Sequence, residues 1–245
     1  METSALDDEV VRAAIKGMKN KEAMNPVSRA VISLRKMSEA HTNLKKLKIS
    51  TRRKKTIWAA LVFLFMGSLR GLEILTPEKK KFDPAKTLMG SDIKVVKIKT
   101  GTEEVTTLQL TLKQPKTSKS LPVQVVELPE VGGWLCPVKA YRQGQEGKKN
   151  KTIGGKPLFS WDDDSLITLS EINWILSVIL EDEEPRITTR AFRPALPTIL
   201  ARQGASEETL KSLGRWTSRT YLHYVREGRT SYWQGLLKKL RNLRI

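Results

Sequence analysis

Arg70, in "GSLRGLEIL", follows directly on an apolar run and has Glu73 three residues on. An arginine at a core boundary is costly to desolvate unless it is held or holds something. A carboxylate at i+3 can orient it, so the pair either seals a helix end or aims a cation. In "TTRAFRPALPTIL" the spacing of Arg190 and Arg193 predicts one shared face on the first turn of a helix. Helix N-termini attract anions through free N–H groups and the dipole, and two guanidiniums added there make a phosphate clamp. Pro194 suits that early position, whereas Pro197 predicts a kink. "LKQPKTSKS" spaces Lys113, Lys116 and Lys119 along a hairpin, where they are either solvated or aimed at an anion. In "LGRWTSRTYLHYVR", Tyr224 follows Arg215 by nine residues, with Tyr221 one turn earlier. Such a tyrosine is either core or a nucleophile.

The composition narrows the ligand. The 245 residues hold 44 Lys and Arg against 26 Asp and Glu, a net charge of +18. The acids partly cluster, as in Asp162–Asp164, so basic surface dominates elsewhere and nucleic acid is the first expectation among polyanions. Cys136 is the single cysteine, which excludes an intrachain disulfide and suits a reducing compartment. His41 and His223 are far apart, so no metal cofactor held by His or Cys is expected. "TIWAALVFLFMGSL", Thr56 to Leu69, falls short of the roughly 20 residues of a membrane span and predicts a fully buried helix.

Several elements must position these residues. Val31, Leu34 and Met37 give an apolar helical stripe within 27–47, and "KKLKISTRRKK" connects it to the buried helix. Then the period changes to two. "DIKVVKIKT", "EVTTLQLTL" and "SLPVQVVELP" predict a small antiparallel sheet, with Gly101 in the first turn and Pro122 and Pro129 bounding the third strand. Loops are expected around "VGGWLCP" and "QGQEGKKNKTIGGKP". Helices resume at "TLSEINWILSVILED", capped by Thr168 or Ser170. Thr188 or Thr189, then Ser206, then Thr217 or Ser218 are the expected caps of three more, with Gly204 and Gly214 ending the first two. Trp233, Leu236, Leu237 and Leu240 form one face of a last helix.

In order and spacing these pieces resemble the tyrosine recombinase (phage integrase) family, most closely its DIRS-like and crypton transposon branch. The resemblance runs from about Val27 to Arg229, through "SLRGLEIL", "PKTSK", "LCPV", "PLFSW", "RAFR" and "LGRWTSRTYLHYVR". It implies an α+β fold, a mostly helical catalytic domain with a three-stranded antiparallel sheet. It divides the chain into a remnant or linker of an N-terminal core-binding module (1–26), the catalytic domain (27–228) and a C-terminal helix (229–245) that protomers could exchange. It also implies roles: Arg70 and Arg193 on the non-bridging oxygens of a scissile phosphate, Lys116 as general acid, Tyr224 as nucleophile forming a 3′-phosphotyrosyl link. Arg190 stands where the family usually has histidine, and Arg215 occupies its histidine-or-tryptophan slot. Arginine is no base near neutral pH, so the proton of Tyr224 would leave to another group or to water.

The implied activity is DNA strand exchange without metal or other cofactor. Its implied partners are double-stranded DNA and further copies of the chain, in dimers or tetramers, with no membrane and a nuclear location. A DNA-binding protein with impaired chemistry on the same scaffold is the alternative. A type IB topoisomerase uses a similar constellation but fits these motifs less well.

Overall fold

The computed structural model describes residues 30–78, 82–100, 102–113, 124–146, 155–181 and 186–216. From Val31 onward they belong to one compact unit. The architecture is α+β: a fully buried apolar helix packs against several other helices, and a three-stranded sheet is inserted between the early and late helices along the chain.

Helix α1 (Leu34–Lys46) starts where the Ser33 hydroxyl accepts from the Lys36 N–H. The expected stripe shifts accordingly. Val31 precedes the helix and Leu34 is only half-buried, so the buried face is Met37, Ala40 and Leu44, one residue per turn. Helix α2 (Thr51–Met66) begins with a basic first turn capped by Ser50. Every residue from Thr56 to Met66 is buried, as the unbroken apolar run requires. A short turn, α3 (Gly71–Ile74), follows at once.

The sheet has the order β1-β2-β3, all antiparallel: β1 (Ile93–Thr100), β2 (Glu103–Leu112) and β3 (Gln124–Pro129). Its register aligns Val95, Leu108 and Leu128 across the three strands. The period of two then buries Leu108, Leu110, Leu112 and Leu128 on one face. The loop expected around "VGGWLCP" is present and leads into helix α4 (Pro137–Gln145), whose last residues, Gln143 to Gln145, take the start of the second expected loop. Pro137 sits at its first position, where a missing N–H costs nothing. Gly144 lets α4 approach α2, since a Cβ there would lie 3.2 Å from Ala59 Cβ.

Helix α5 (Leu169–Ile179) opens on a capping box between Thr168 and Glu171. Next comes a 3₁₀ turn, Thr189–Ala191, before α6 (Ala195–Arg202) and α7 (Glu207–Gly214). Two expectations fail here. Neither Thr188 nor Thr189 caps α6, whose N-cap is Pro194 without a side-chain bond. Pro197 lies in the first turn of α6, among N–H groups that have no helical partner anyway, so it has no bond to break and no reason to kink. Ser206 caps α7 as expected, its hydroxyl accepting from Thr209 N–H.

Candidate active site

The site is built from two helix ends. Helix α2 closes in a Schellman motif: Ser68 N–H reaches Phe65 O and Leu69 N–H reaches Leu64 O. Its left-handed residue is Ser68, at φ 46°, although Gly67 is adjacent. Helix α7 closes the same way, Arg215 N–H on Ser212 O and Trp216 N–H on Lys211 O, with Arg215 left-handed at φ 51°. Gly214 is small for a different reason. Trp216 folds back over it, and a Cβ at 214 would lie 2.4 Å from the indole ring. Two side chains thus hold a conformation that glycine normally takes, at a cost of about 1–3 kcal/mol each.

Arg193 links the two ends, donating from Nη1 to Ser68 O (3.2 Å) and from Nη2 to Gly214 O (2.8 Å). Arg215 adds bonds to Gly67 O and Ser68 O, both 3.2 Å, and to Glu73 Oε2 at 2.8 Å. Helix C-termini expose carbonyls and the negative pole of the dipole, so guanidiniums settle there. Arg70 heads α3 and is held twice by Glu73: its N–H on Oε2 at 2.7 Å, its Nη1 on Oε1 at 2.9 Å. Arg193 Nη1 is 4.0 Å from the same Oε1.

One carboxylate therefore gathers Arg70, Arg193 and Arg215, and the four groups leave a local charge of two positive units. Their exposure separates them. The Arg70 side chain is 49% exposed, Glu73 15%, Arg193 14% and Arg215 8%. Burial pushes the Arg215 pKa down, with Glu73 opposing and Arg70 assisting, yet a guanidinium stays charged throughout. Arg215 Nε and Ser68 Oγ are buried without a hydrogen-bond partner among the described residues.

Arg190 is placed differently from the expected clamp. It lies in the 3₁₀ turn rather than in the first turn of a helix, and its side chain is exposed while that of Arg193 is not. Among the described residues it has no ion pair. The turn itself is fixed: Asn173 Oδ1 accepts from Thr189 N–H at 2.9 Å. It also lies against the Arg70 segment, since a Cβ on Gly71 would come within 2.9 Å of Thr189 Oγ1 and 2.4 Å of Leu169 Cδ1.

Of the hairpin lysines, Lys113 is committed to structure, 2.8 Å from Asp92 Oδ2 and donating to Pro84 O. Lys116, Lys119, Tyr221, His223, Tyr224 and the C-terminal helix lie outside the described residues, as do Gly101, the caps expected at Thr217 or Ser218, and residues 1–29. A groove of about 470 Å³ runs along α1 beside Trp134, Arg35 and Asn43 and includes none of the site arginines. Among the described residues no group of His, Cys, Asp or Glu could hold a metal, and no helix is long and apolar enough to cross a membrane.

Along the sequence Glu73 pairs with Arg70 alone. That it also receives Arg215, 142 positions away, had no local signal. The same is true of Lys113 with Asp92 and of Asn173 with Thr189.

No protein-family model matches the chain, and no curated protein matches it. Solved structures do. The XerH site-specific recombinase bound to its difH substrate superposes with a TM-score of 0.56 at 13% identity, covering 81% of this chain and 50% of XerH. A Flpe–Holliday junction complex gives 0.53 at 12%, over 98% of this chain and 60% of that one. A variant of the Tn1549 transposon integrase in complex with a circular intermediate DNA gives 0.51 at 15%, over 88% and 67%. The chain thus spans half the length of XerH. At these identities the likeness concerns the backbone, and the fold is that of the tyrosine recombinase catalytic domain.

Proposed function

We propose that the chain is a member of the tyrosine recombinase family, a transposon-type DNA strand-exchange enzyme whose catalytic domain spans 27–228. The observation that carries this reading is the convergence on Glu73 of its neighbour Arg70 and of Arg193 and Arg215 from far along the chain, on a backbone shared with recombinase–DNA complexes. A net positive cluster of fixed donors is what the extra charge of a phosphorane-like transition state needs. Arg70 and Arg193 would bind the non-bridging oxygens. The oxygen of Tyr224 would attack phosphorus, its proton leaving to water or a group other than Arg190, forming a 3′-phosphotyrosyl bond and breaking the bond to the 5′ oxygen, which takes a proton from Lys116. Attack by another 5′ hydroxyl reverses the step on a new strand, conserving the bond energy. Two or four copies would assemble on double-stranded DNA to exchange strands.

A specific observation favours the alternative, a DNA-binding protein with impaired chemistry. Arg193 and Arg215 spend donors on backbone carbonyls, and Arg190 cannot serve as a base. One experiment separates the two. A duplex nicked close to the cleavage point loses its short product and traps the covalent intermediate. Trapping by the parent and none by Tyr224→Phe supports the enzyme. Equal background in both, with DNA still bound, establishes the scaffold.

A further inference from the structure

We propose that Arg215 is a positioning residue: it fixes Arg70 from behind, through Glu73 and the Gly67–Ser68 turn, and does not touch the phosphate. The inference rests on the recombinase reading above. Its side chain is 8% exposed, against 49% for Arg70, so a phosphate arriving from solvent meets Arg70 first. Its two terminal nitrogens are turned inward, onto Gly67 O, Ser68 O and Glu73 Oε2. Its Nε is shielded from water and has no partner among the described residues. Its backbone is left-handed, and such strain persists only where the surroundings require the geometry.

What Arg215 holds is the bearing of Arg70. Glu73 Oε2 accepts from Arg70 N–H and from Arg215 Nη2, while Oε1 accepts from Arg70 Nη1. Without Arg215 the carboxylate keeps hydrogen bonds only to the residue it is meant to aim, with Arg193 Nη1 no nearer than 4.0 Å, and can rotate with it. The carbonyls of Gly67 and Ser68, which set the chain direction into Arg70, lose donors at the same moment. Lysine cannot substitute, because three acceptors are reached here from two nitrogens of one rigid plane.

The test is a double-mutant cycle on the full chain, reading the rate of phosphotyrosyl trapping on the nicked duplex, DNA affinity and melting temperature. Arg215→Lys keeps the charge, and Arg215→Asn keeps a residue that tolerates the left-handed backbone. Both should lower trapping by about tenfold or more at unchanged DNA affinity, also at temperatures well below melting. In an Arg70→Lys background, followed over long incubation, adding either substitution should change little, because a misaimed Arg70 is already lost. A further drop of the same factor would show an independent contact with the phosphate and overturn the proposal. So would unchanged trapping in both single variants, or a loss that vanishes on cooling. A parent that traps no DNA overturns the recombinase reading itself, a result distinct from any variant's.

Discussion

At the scale of single residues, the arginines divide by what they already hold. Arg70 is half-exposed and bonded to one carboxylate, so Arg70→Ala should abolish trapping with little effect on stability. Arg193 bridges the carbonyls that end α2 and α7, so Arg193→Ala should abolish trapping and also lower the melting temperature. Ser68 O keeps Arg215, but leaving the buried Gly214 carbonyl without its charged donor costs roughly 1–3 kcal/mol. A thermal melt of the two variants side by side checks this, and equal melting temperatures would contradict the bridging role. Arg190 is exposed and unpaired among the described residues, so replacing it disturbs no described contact. Arg190→His should keep or raise trapping, because imidazole moves protons near neutral pH and guanidinium does not. If trapping instead falls, with Arg190→Lys milder, the site depends on a permanent cation there.

At the scale of elements, two glycines set how closely the site can assemble. Gly71 lets the Arg70 segment lie on Thr189 and Leu169, and Gly214 lets Trp216 close over the end of α7. Gly71→Ala and Gly214→Ala should each cost about 1–3 kcal/mol by overpacking, measured by denaturant unfolding. Gly144→Ala, where the neighbour is a single methyl at 3.2 Å, should cost less. The elements themselves were legible where one local rule governs. The unbroken apolar run dictated α2, the period of two dictated the sheet, and the Thr168 and Ser206 caps fixed two helix starts. Reading failed where a residue answers to distant partners. Ser68 and Arg215 take left-handed positions beside available glycines, because tertiary bonds and the Trp216 ring choose them. Local spacing placed Arg190 and Arg193 on one helical turn, but Asn173 holds the turn as 3₁₀ and separates their environments. The pairing of Glu73 with Arg70 is local and legible, whereas its pairing with Arg193 and Arg215 is a property of the closed fold.

At the scale of the whole molecule, charge governs both stability and binding. His41 lies 4.4 Å from the Trp58 ring and 5.7 Å from that of Trp134. Burial first, then Lys45 and Lys139, push its pKa from 6.5 down to about 4. Above the unfolded value the imidazole is neutral in both states and contributes no pH dependence. Between 6.5 and about 4 the unfolded chain binds a proton that the native state refuses. Stability should therefore fall as pH falls through that window, and His41→Phe should flatten this part of the melting profile. An unchanged slope in the variant would mean other groups carry it.

The net charge of +18 makes a second demand on the same molecule. Part of the basic surface is already matched by acids, as in Arg53 with Asp162, Lys55 with Glu146 and Lys97 with Glu104. On the recombinase reading, these pairs would exchange one partner for another on binding DNA and release few counterions. Cations without such acids release condensed counterions from each phosphate they meet, so log K should fall with log salt by about 0.9 per contact. Titrating binding between low and physiological salt counts those contacts. Arg70→Ala should reduce the slope by about one contact, while Arg215→Lys should leave it unchanged, since a guanidinium that faces inward meets no phosphate. A binding constant that stays flat with salt would remove DNA as the partner of this charge, and the recombinase reading would go with it.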